Sequence, residues 1–290
     1  MASTSGSTRT GRRRKRFDFM RYILILLMGA ALITSCSKQT NASPAAISNW
    51  MPPQNPSPQK ILNEADADTQ AGQYPNALAK YVWFYQNAVK YDAAERGVRV
   101  SFALSSWATL GESYPPALDK LKAVRDEAGQ NVRQGKDALN AFEDFAAIDS
   151  SLKDENKTSD LFVWLDANKP ELSKAVFDRT QNWLLPALVI EKQYQLCGKY
   201  IDANSSFDQI LNLYRMTIKQ AAIQNDTSLK DFEGQYFINR TATLIALLSI
   251  TDRKTDAQQI IDRISKEPNL PEFKAEIQKA FSGEIPQPWP

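Results

Sequence analysis

Residues 71–124 set the fold class of this chain, and they read AGQYPNALAKYVWFYQNAVKYDAAERGVRVSFALSSWATLGESYPPALDKLKAV. Gly72 suits a tight turn between two helices, because its backbone readily adopts a left-handed conformation. Pro75 stands where the second helix would begin, a position at which proline is tolerated. Ala77 and Ala117 are small enough to let two helix backbones approach closely, and large apolar residues follow each of them at helical spacing. The stretch therefore predicts two successive helical hairpins.

The same order of small and large residues returns further along the chain. Gly198 followed by Ala203 predicts a third hairpin, and Ala257 marks a fourth, degenerate copy. The pattern resembles that of tetratricopeptide repeats, which are helical hairpins with a period of about 34 residues. Ala77 and Ala117 lie 40 residues apart, so the resemblance implies an irregular array. We predict an all-α fold, an irregular tetratricopeptide-like hairpin array that forms an α-α superhelix; a generic helical bundle is the alternative.

The N-terminal residues have the order of a bacterial export signal. Residues 12–16 are all basic, residues 23–33 are nearly all apolar, and small residues lead directly to Cys36. This ending resembles the lipobox of bacterial lipoproteins, which implies removal of residues 1–35 as a signal peptide and acylation of Cys36, as with palmitate. An uncleaved signal anchor is the alternative, but the apolar run is shorter than the roughly 20 residues that a spanning helix needs.

The lipobox resemblance also implies a location and a layout. Ser37, and not an aspartate, follows Cys36, which in a Gram-negative cell implies the outer membrane on its periplasmic side. Residues 36–58 are polar, rich in proline and without period, and we predict that they form a flexible tether between the lipid and the folded domain. The leader is long for this class, so the translation start stays open between Met1 and Met20.

Helical signals continue almost without a break through residues 59–283, which we predict to be one helical-repeat domain. Such a length can bury one large core or two abutting cores. The charged segment 149–159 is predicted to be a loop and a possible subdivision of the domain. Further helices are predicted at 170–180 and 182–197, and residues 284–290 are predicted to be an irregular tail.

Composition excludes several classes of function. Removal of residues 1–35 takes away seven of the 35 Lys and Arg residues and one of the 33 acids, which leaves a net charge of −4 and no footprint for nucleic acid. The chain contains no histidine, which excludes histidine-based triads and most zinc sites. We therefore expect no nucleic-acid partner, no cofactor, no metal and no enzymatic activity. Cys197 is expected to be a buried small residue.

Aromatic residues are dense between residues 81 and 114. Packing between hairpins explains some of them, but two tryptophans in this segment are close in sequence to two arginines. Cationic side chains beside large aromatic rings can hold a peptide or a carboxylate. We predict that Trp83, Arg96, Arg99 and Trp107 line one partner-binding surface, with the guanidinium of Arg99 exposed to solvent.

Together these features predict a membrane-anchored envelope lipoprotein that acts as a scaffold or adaptor for an unknown protein or peptide through a helical-repeat groove. Two alternatives stay open. A carboxylate-dependent envelope hydrolase would need two acids that converge in a cleft at about 5 to 9.5 Å. The neighbouring acids Glu143 and Asp144 point in different directions on a helix, so we expect a solvated surface there. A small-molecule-binding lipoprotein would need a closed apolar pocket.

Overall fold

A computed structural model describes residues 48–287, and within that range it contains α-helices and no β-strand. The all-α prediction is therefore confirmed. The helices are α1 Pro58–Gln70, α2 Tyr74–Tyr91, α3 Glu95–Arg99, α4 Phe102–Ser113, α5 Pro115–Gln134, α6 Ala138–Leu152, α7 Asn156–Asn168, α8 Pro170–Ile190, α9 Tyr194–Tyr200, α10 Ala203–Gln224, α11 Thr227–Ile250, α12 Lys254–Lys266 and α13 Lys274–Phe281. The predicted signal peptide, the lipidation site at Cys36 and the last three residues of the tail lie outside the described range. None of these helices is both long enough and apolar enough to cross a membrane.

Helices that are close in sequence pack on one another as hairpins. α1 packs on α2, α4 on α5, α5 on α6, α7 on α8 and α10 on α11, while α12 and α13 both pack on α11. Ala77 and Ala117 are fully buried. A Cβ atom added at Gly111 would lie 3.0 Å from the Cβ atom of Leu118, so α4 and α5 approach closely beside Ala117. The two hairpins predicted from residues 71–124 are present.

Three of the hairpin turns share one backbone geometry. The second residue of each turn has a positive φ, which is 73° at Gly72, 55° at Lys192 and 59° at Asp252. The residue after it donates its backbone N–H to the carbonyl oxygen five positions earlier, at 2.7–2.8 Å in all three turns. Four positions after the residue that donates this bond, each hairpin has a fully buried small residue, which is Ala77, Cys197 or Ala257. The shared turn places a small residue at the same point of each hairpin.

The third hairpin is displaced by six residues from its predicted register. Gly198 and Ala203 were expected at the turn and the crossing, whereas the turn lies at Lys192 and Cys197 takes the crossing position. Gly198 lies inside α9, where an added Cβ atom would come within 2.5 Å of the side chain of Thr251. This glycine therefore permits a close approach between α9 and the turn that precedes α12. Cys197 is buried as expected, and burial raises the pKa of its thiol to about 12.

α8 is one continuous helix, so the prediction of separate helices at 170–180 and 182–197 is wrong. Pro186 lies inside α8 on its exposed side. A proline there removes one backbone hydrogen bond, but the freed carbonyl group can reach solvent. The continuous helix provides a long wall for the site described below.

The prediction of a loop at residues 149–159 is also wrong. α6 and α7 cover most of that segment, and three residues separate them. The carboxylate of Asp149 is fully buried, where it accepts hydrogen bonds from Arg125 at 3.3 Å and from the hydroxyl of Thr158 at 3.0 Å. The acids that suggested a solvated loop instead tie α5, α6 and α7 together.

Two hydrophobic cores abut inside the described domain, and the division runs through α5 and α6. On α5, Leu121 belongs to the N-terminal core and Ala128 to the C-terminal core. On α6, Phe145 belongs to the C-terminal core and Ile148 to the N-terminal core. Arg125 lies between the two core residues of α5, so its buried ion pair with α6 marks the boundary between the cores.

The last part of the predicted tether is packed against the domain. Residues 48–57 have no helix or strand, but the hydroxyl of Ser48 donates to the side chain of Asn76 at 2.8 Å. The ring of Trp50 meets the ring of Trp83 edge-on, at 6.5 Å between centroids, and the ammonium of Lys80 lies 5.9 Å from the Trp50 ring. These contacts fix the chain on α2 before α1 begins.

Candidate functional site

The structure removes Trp107 from the predicted partner-binding surface. Its side chain is 1 % exposed and fills the interface between α4 and α5. The indole N–H donates to the backbone carbonyl of Ala117 at 2.9 Å, which satisfies the polar atom of an otherwise apolar residue. The prediction for Trp107 is wrong, because this tryptophan is a core residue of the N-terminal hairpins.

Arg99 is held in a structural clamp and not exposed to solvent as predicted. Its guanidinium forms two hydrogen bonds with the carboxylate of Asp144 on α6, and its side chain is 14 % exposed. The same guanidinium lies 4.7 Å from the ring centroid of Tyr85. Burial, followed by the charge of Asp144, raises the pKa of Tyr85. The charge of Arg99 is therefore already neutralised within the chain.

Arg96 takes part in a neighbouring polar cluster. It donates to Glu143 at 2.7 Å and to Asn140 at 3.1 Å, and Arg179 of α8 donates to the same two residues at 3.0 and 2.7 Å. Burial raises the pKa of Glu143 above its usual range, although Arg96 acts in the opposite direction. The expectation of a solvated acidic pair at Glu143 and Asp144 is wrong, because both acids serve as partners for arginines.

Trp83 is covered by aromatic residues of its own chain. Besides the edge-on contact with Trp50, its ring lies 5.6 Å from that of Tyr91. Of the four predicted residues, the structure brings together Arg96 and Arg99 on α3, but Trp107 lies in the core and Trp83 lies under Trp50. The four residues do not form one open surface.

A cavity of about 270 Å³ lies instead in the C-terminal half, between α8 and α11. The start of α10 and the tail after α13 complete its walls. Apolar surface makes up most of the lining, although seven of the thirteen lining residues carry an amide, hydroxyl or guanidinium group. The lining residues are Gln181, Asn182, Leu185, Pro186, Val189, Ser206, Ile210, Tyr236, Asn239, Arg240, Thr243, Leu244 and Pro286. Apolar walls with few polar groups are typical of ligand sites.

Most polar side chains around the cavity are engaged with the protein. The amide of Gln181 donates to Ser206 at 3.0 Å, and Thr243 donates to the backbone of Asn239 at 2.9 Å. The amide of Asn239 donates to the carbonyl oxygen of Gln287 at 2.8 Å, which holds the tail along α11. These bonds fix the shape of the cavity before any ligand enters.

Arg240 is the one charged side chain among the described residues that line the cavity. It is partly buried, and its guanidinium lies 5.3 Å from the ring centroid of Tyr236, one helical turn earlier. Among the described residues it has no hydrogen-bond partner and no acid within 4.0 Å. Burial raises the pKa of Glu233, and Arg240 partly offsets this rise from a greater distance.

The sequence contains only weak signals for this cavity. Tyr236 and Arg240 have the four-residue spacing of neighbours on a helix face, and Pro186 interrupts an otherwise helical pattern. The other lining residues are spread from residue 181 to residue 286, on elements whose packing is set by tertiary contacts. No local motif unites them.

The α8–α11 cavity is not the two-carboxylate site that the hydrolase alternative requires, whereas Glu272, Glu276 and Glu284 line a separate cavity of about 330 Å³. Asp149 and Asp154 converge on Arg125, but Asp149 is fully buried, and burial raises its pKa to about 6. No acid is found among the described residues that line the α8–α11 cavity. The described residues also contain no group of three or more acids and cysteines that could hold a metal ion.

Comparison of the chain with protein-family models, curated proteins and solved structures finds no match.

Proposed function

We propose that this protein is a lipid-anchored adaptor of a bacterial cell envelope, which binds a segment of another protein or peptide between α8 and α11. Its tetratricopeptide-like hairpins would form a superhelical scaffold for that site. The anchor is proposed on the resemblance of the residues up to Cys36 to a lipoprotein leader. In a Gram-negative cell the protein would lie on the outer membrane and face the periplasm.

The observation that carries the proposal is the cavity between α8 and α11. Its lining surface is mainly apolar, its rim is exposed at Asn182 and Pro186, and it is lined by Arg240, which forms no ion pair within 4.0 Å among the described residues. A site of this kind can take an apolar side chain of a partner while the rest of the partner stays outside. The absence of acids in the described lining favours binding over carboxylate chemistry.

Photo-crosslinking tests the proposal. A photoreactive phenylalanine analogue replaces Pro186 at the rim in the full chain, and the same analogue replaces Lys122 on the exposed face of α5 as a control. In the cells that make the protein, we expect a macromolecular adduct from position 186 and none from position 122. Cys36→Ser should move the protein from the membrane fraction to the soluble fraction. Equal adducts at both positions, or none at either, would overturn the adaptor proposal.

A small-molecule-binding lipoprotein is the second candidate, and the size of the cavity favours it. A volume of about 270 Å³ holds roughly nine water molecules, and it lies just below the range of about 300–1,000 Å³ for small-ligand sites. This candidate predicts no macromolecular adduct at position 186 and a small molecule that co-purifies with the protein. Native mass spectrometry of the purified chain separates the two outcomes.

A further inference from the structure

Arg240 differs from the other arginines in the way its charge is balanced. The described residues contain nine arginines, and seven of them form an ion pair with an acid: Arg96, Arg99, Arg125, Arg179, Arg215, Arg253 and Arg263. Arg133 and Arg240 are the two without one, and each stacks on an aromatic ring, at 5.1 and 5.3 Å. Arg133 lies exposed at the end of α5, where water balances its charge, whereas Arg240 is partly buried in the wall of a cavity.

The surroundings of Arg240 define what could pair with it. Leu185, Val189 and Ile210 supply apolar wall in the cavity that Arg240 lines. Asn182, on the facing helix, has a side-chain amide with no hydrogen-bond partner among the described residues. The guanidinium lies 5.3 Å from the ring centroid of Tyr236, and a guanidinium beside an aromatic ring can still donate N–H bonds to a ligand.

We infer that the α8–α11 cavity binds a carboxylate attached to an apolar group, with Arg240 donating to the carboxylate. This inference rests on the proposed function, because it names the chemistry of the ligand at the same site. The carboxylate accepts two parallel N–H bonds from the guanidinium, an arrangement that is both strong and directional. The apolar group replaces water against Leu185, Val189 and Ile210. Asn182 lines the exposed rim of the same cavity on the facing helix.

Charge and size exclude other ligand classes. A cation would meet Arg240 with no described acid in the lining to offset the repulsion. A phosphate group carries more charge than one arginine balances, and the remaining walls are largely apolar. The volume fits a group of roughly ten to fifteen non-hydrogen atoms, about one large apolar residue with its carboxylate. Either the C-terminal residue of a protein or a free apolar acid has this chemistry.

Calorimetric titration of the full chain in detergent tests the inference. The probes are N-acetyl-phenylalanine, its amide, and an acetylated hexapeptide that ends in phenylalanine, with a free or an amidated terminus. We expect both acids to bind and both amides to bind at least tenfold more weakly. Arg240→Ala should weaken binding of the acids about 10- to 100-fold, as for a lost charge-assisted hydrogen bond. Arg240→Lys should retain part of the affinity, and Arg133→Ala should change nothing.

The outcomes separate the source of the ligand and the two proposals. A hexapeptide acid that binds more than tenfold tighter than N-acetyl-phenylalanine assigns the site to protein C-termini, and equal affinities assign it to free acids. Equal binding of acids and amides, equal losses in Arg240→Ala and Arg133→Ala, or no binding of either acid would overturn the carboxylate inference. If the crosslink at position 186 persists in Arg240→Ala, the adaptor proposal stands without the carboxylate inference. Unchanged melting of each variant excludes misfolding as the cause.

Discussion

Arg99 and Arg240 have similar local surroundings and different partners. Each guanidinium lies over a tyrosine ring, at 4.7 Å from Tyr85 and at 5.3 Å from Tyr236. Asp144 on α6 supplies the counter-charge for Arg99. Arg240 has no described acid within 4.0 Å. An arginine beside an aromatic ring therefore does not define a binding site by itself. The helix that faces it decides whether its charge serves the fold or stays available to a ligand.

The same contrast extends to packing. The N-terminal hairpins are filled by large buried side chains such as Phe84 and Trp107, and the tether closes them on the outside with Trp50. In the C-terminal half, α8 and α11 leave an open volume between half-buried side chains such as Leu185. We therefore expect mutations in the N-terminal hairpins to lower the stability of the fold, and mutations around the α8–α11 cavity to weaken ligand binding.

The largest effect is expected from Trp107→Ala, which should lower the free energy of unfolding by about 3–5 kcal/mol. The substitution leaves a cavity in the N-terminal core and leaves the carbonyl group of Ala117 without its indole donor. Leu185→Ala is the matched variant in the other region and should cost about 1 kcal/mol, because its side chain already borders open volume. Urea denaturation measures both. Equal costs would contradict the contrast between a filled and an open region.

A smaller effect is expected from pH at Asp149, on the boundary between the two cores. Its folded pKa of about 6 lies above the value of about 3.9 in an unfolded chain, so the folded state holds the proton more tightly. Its contribution to stability is therefore fully present below about pH 4 and is lost as pH rises through 6. Between pH 7 and pH 4.5 the wild type should gain about 2 kcal/mol relative to Asp149→Asn. Chemical denaturation at both pH values checks this, and a constant difference between the proteins would refute it.

The smallest effects come from the two arginine sites themselves. Asp144→Ala should lower the free energy of unfolding by about 1–2 kcal/mol, because it leaves the largely buried guanidinium of Arg99 without a counter-charge. Arg240→Ala should stay within about 0.5 kcal/mol of the wild type, because Arg240 forms no ion pair within 4.0 Å among the described residues and acts on Glu233 only from a greater distance. Thermal melting of the two variants compares them directly. A large loss in Arg240→Ala would show that its charge serves the fold.

Local signals predicted the fold class well. Gly72, Pro75 and the buried alanines act within a few residues of themselves, so residues 71–124 were enough to predict hairpins. The third hairpin was placed wrongly because its turn has Lys192 at a positive φ, and a lysine gives no warning of that conformation. Gly198 appeared to mark the turn, but a glycine is needed there because the side chain of Thr251, more than fifty residues away, packs against its Cα atom.

The candidate site could not be predicted in the same way. Whether Arg96 and Arg99 are free depends on Glu143 and Asp144, which lie more than forty residues later on α6. The surroundings of Arg240 depend on three helices and the tail. A sequence shows that a cation and a ring are neighbours on one helix, but the presence of a counter-charge is a property of tertiary packing.

The packing of Trp50 against α2 limits how far the domain could lie from a lipid anchor at Cys36. If Cys36 carries the lipid, twelve peptide units join it to Ser48, the first residue described, and a fully extended chain of that length spans at most about 43 Å. Release of the whole segment up to Pro58 would extend this limit to about 79 Å. The contacts of residues 48–50 with α2 therefore reduce the maximum distance between such an anchor and the domain by nearly half. A partner of the α8–α11 cavity would then have to come close to the bilayer to be captured.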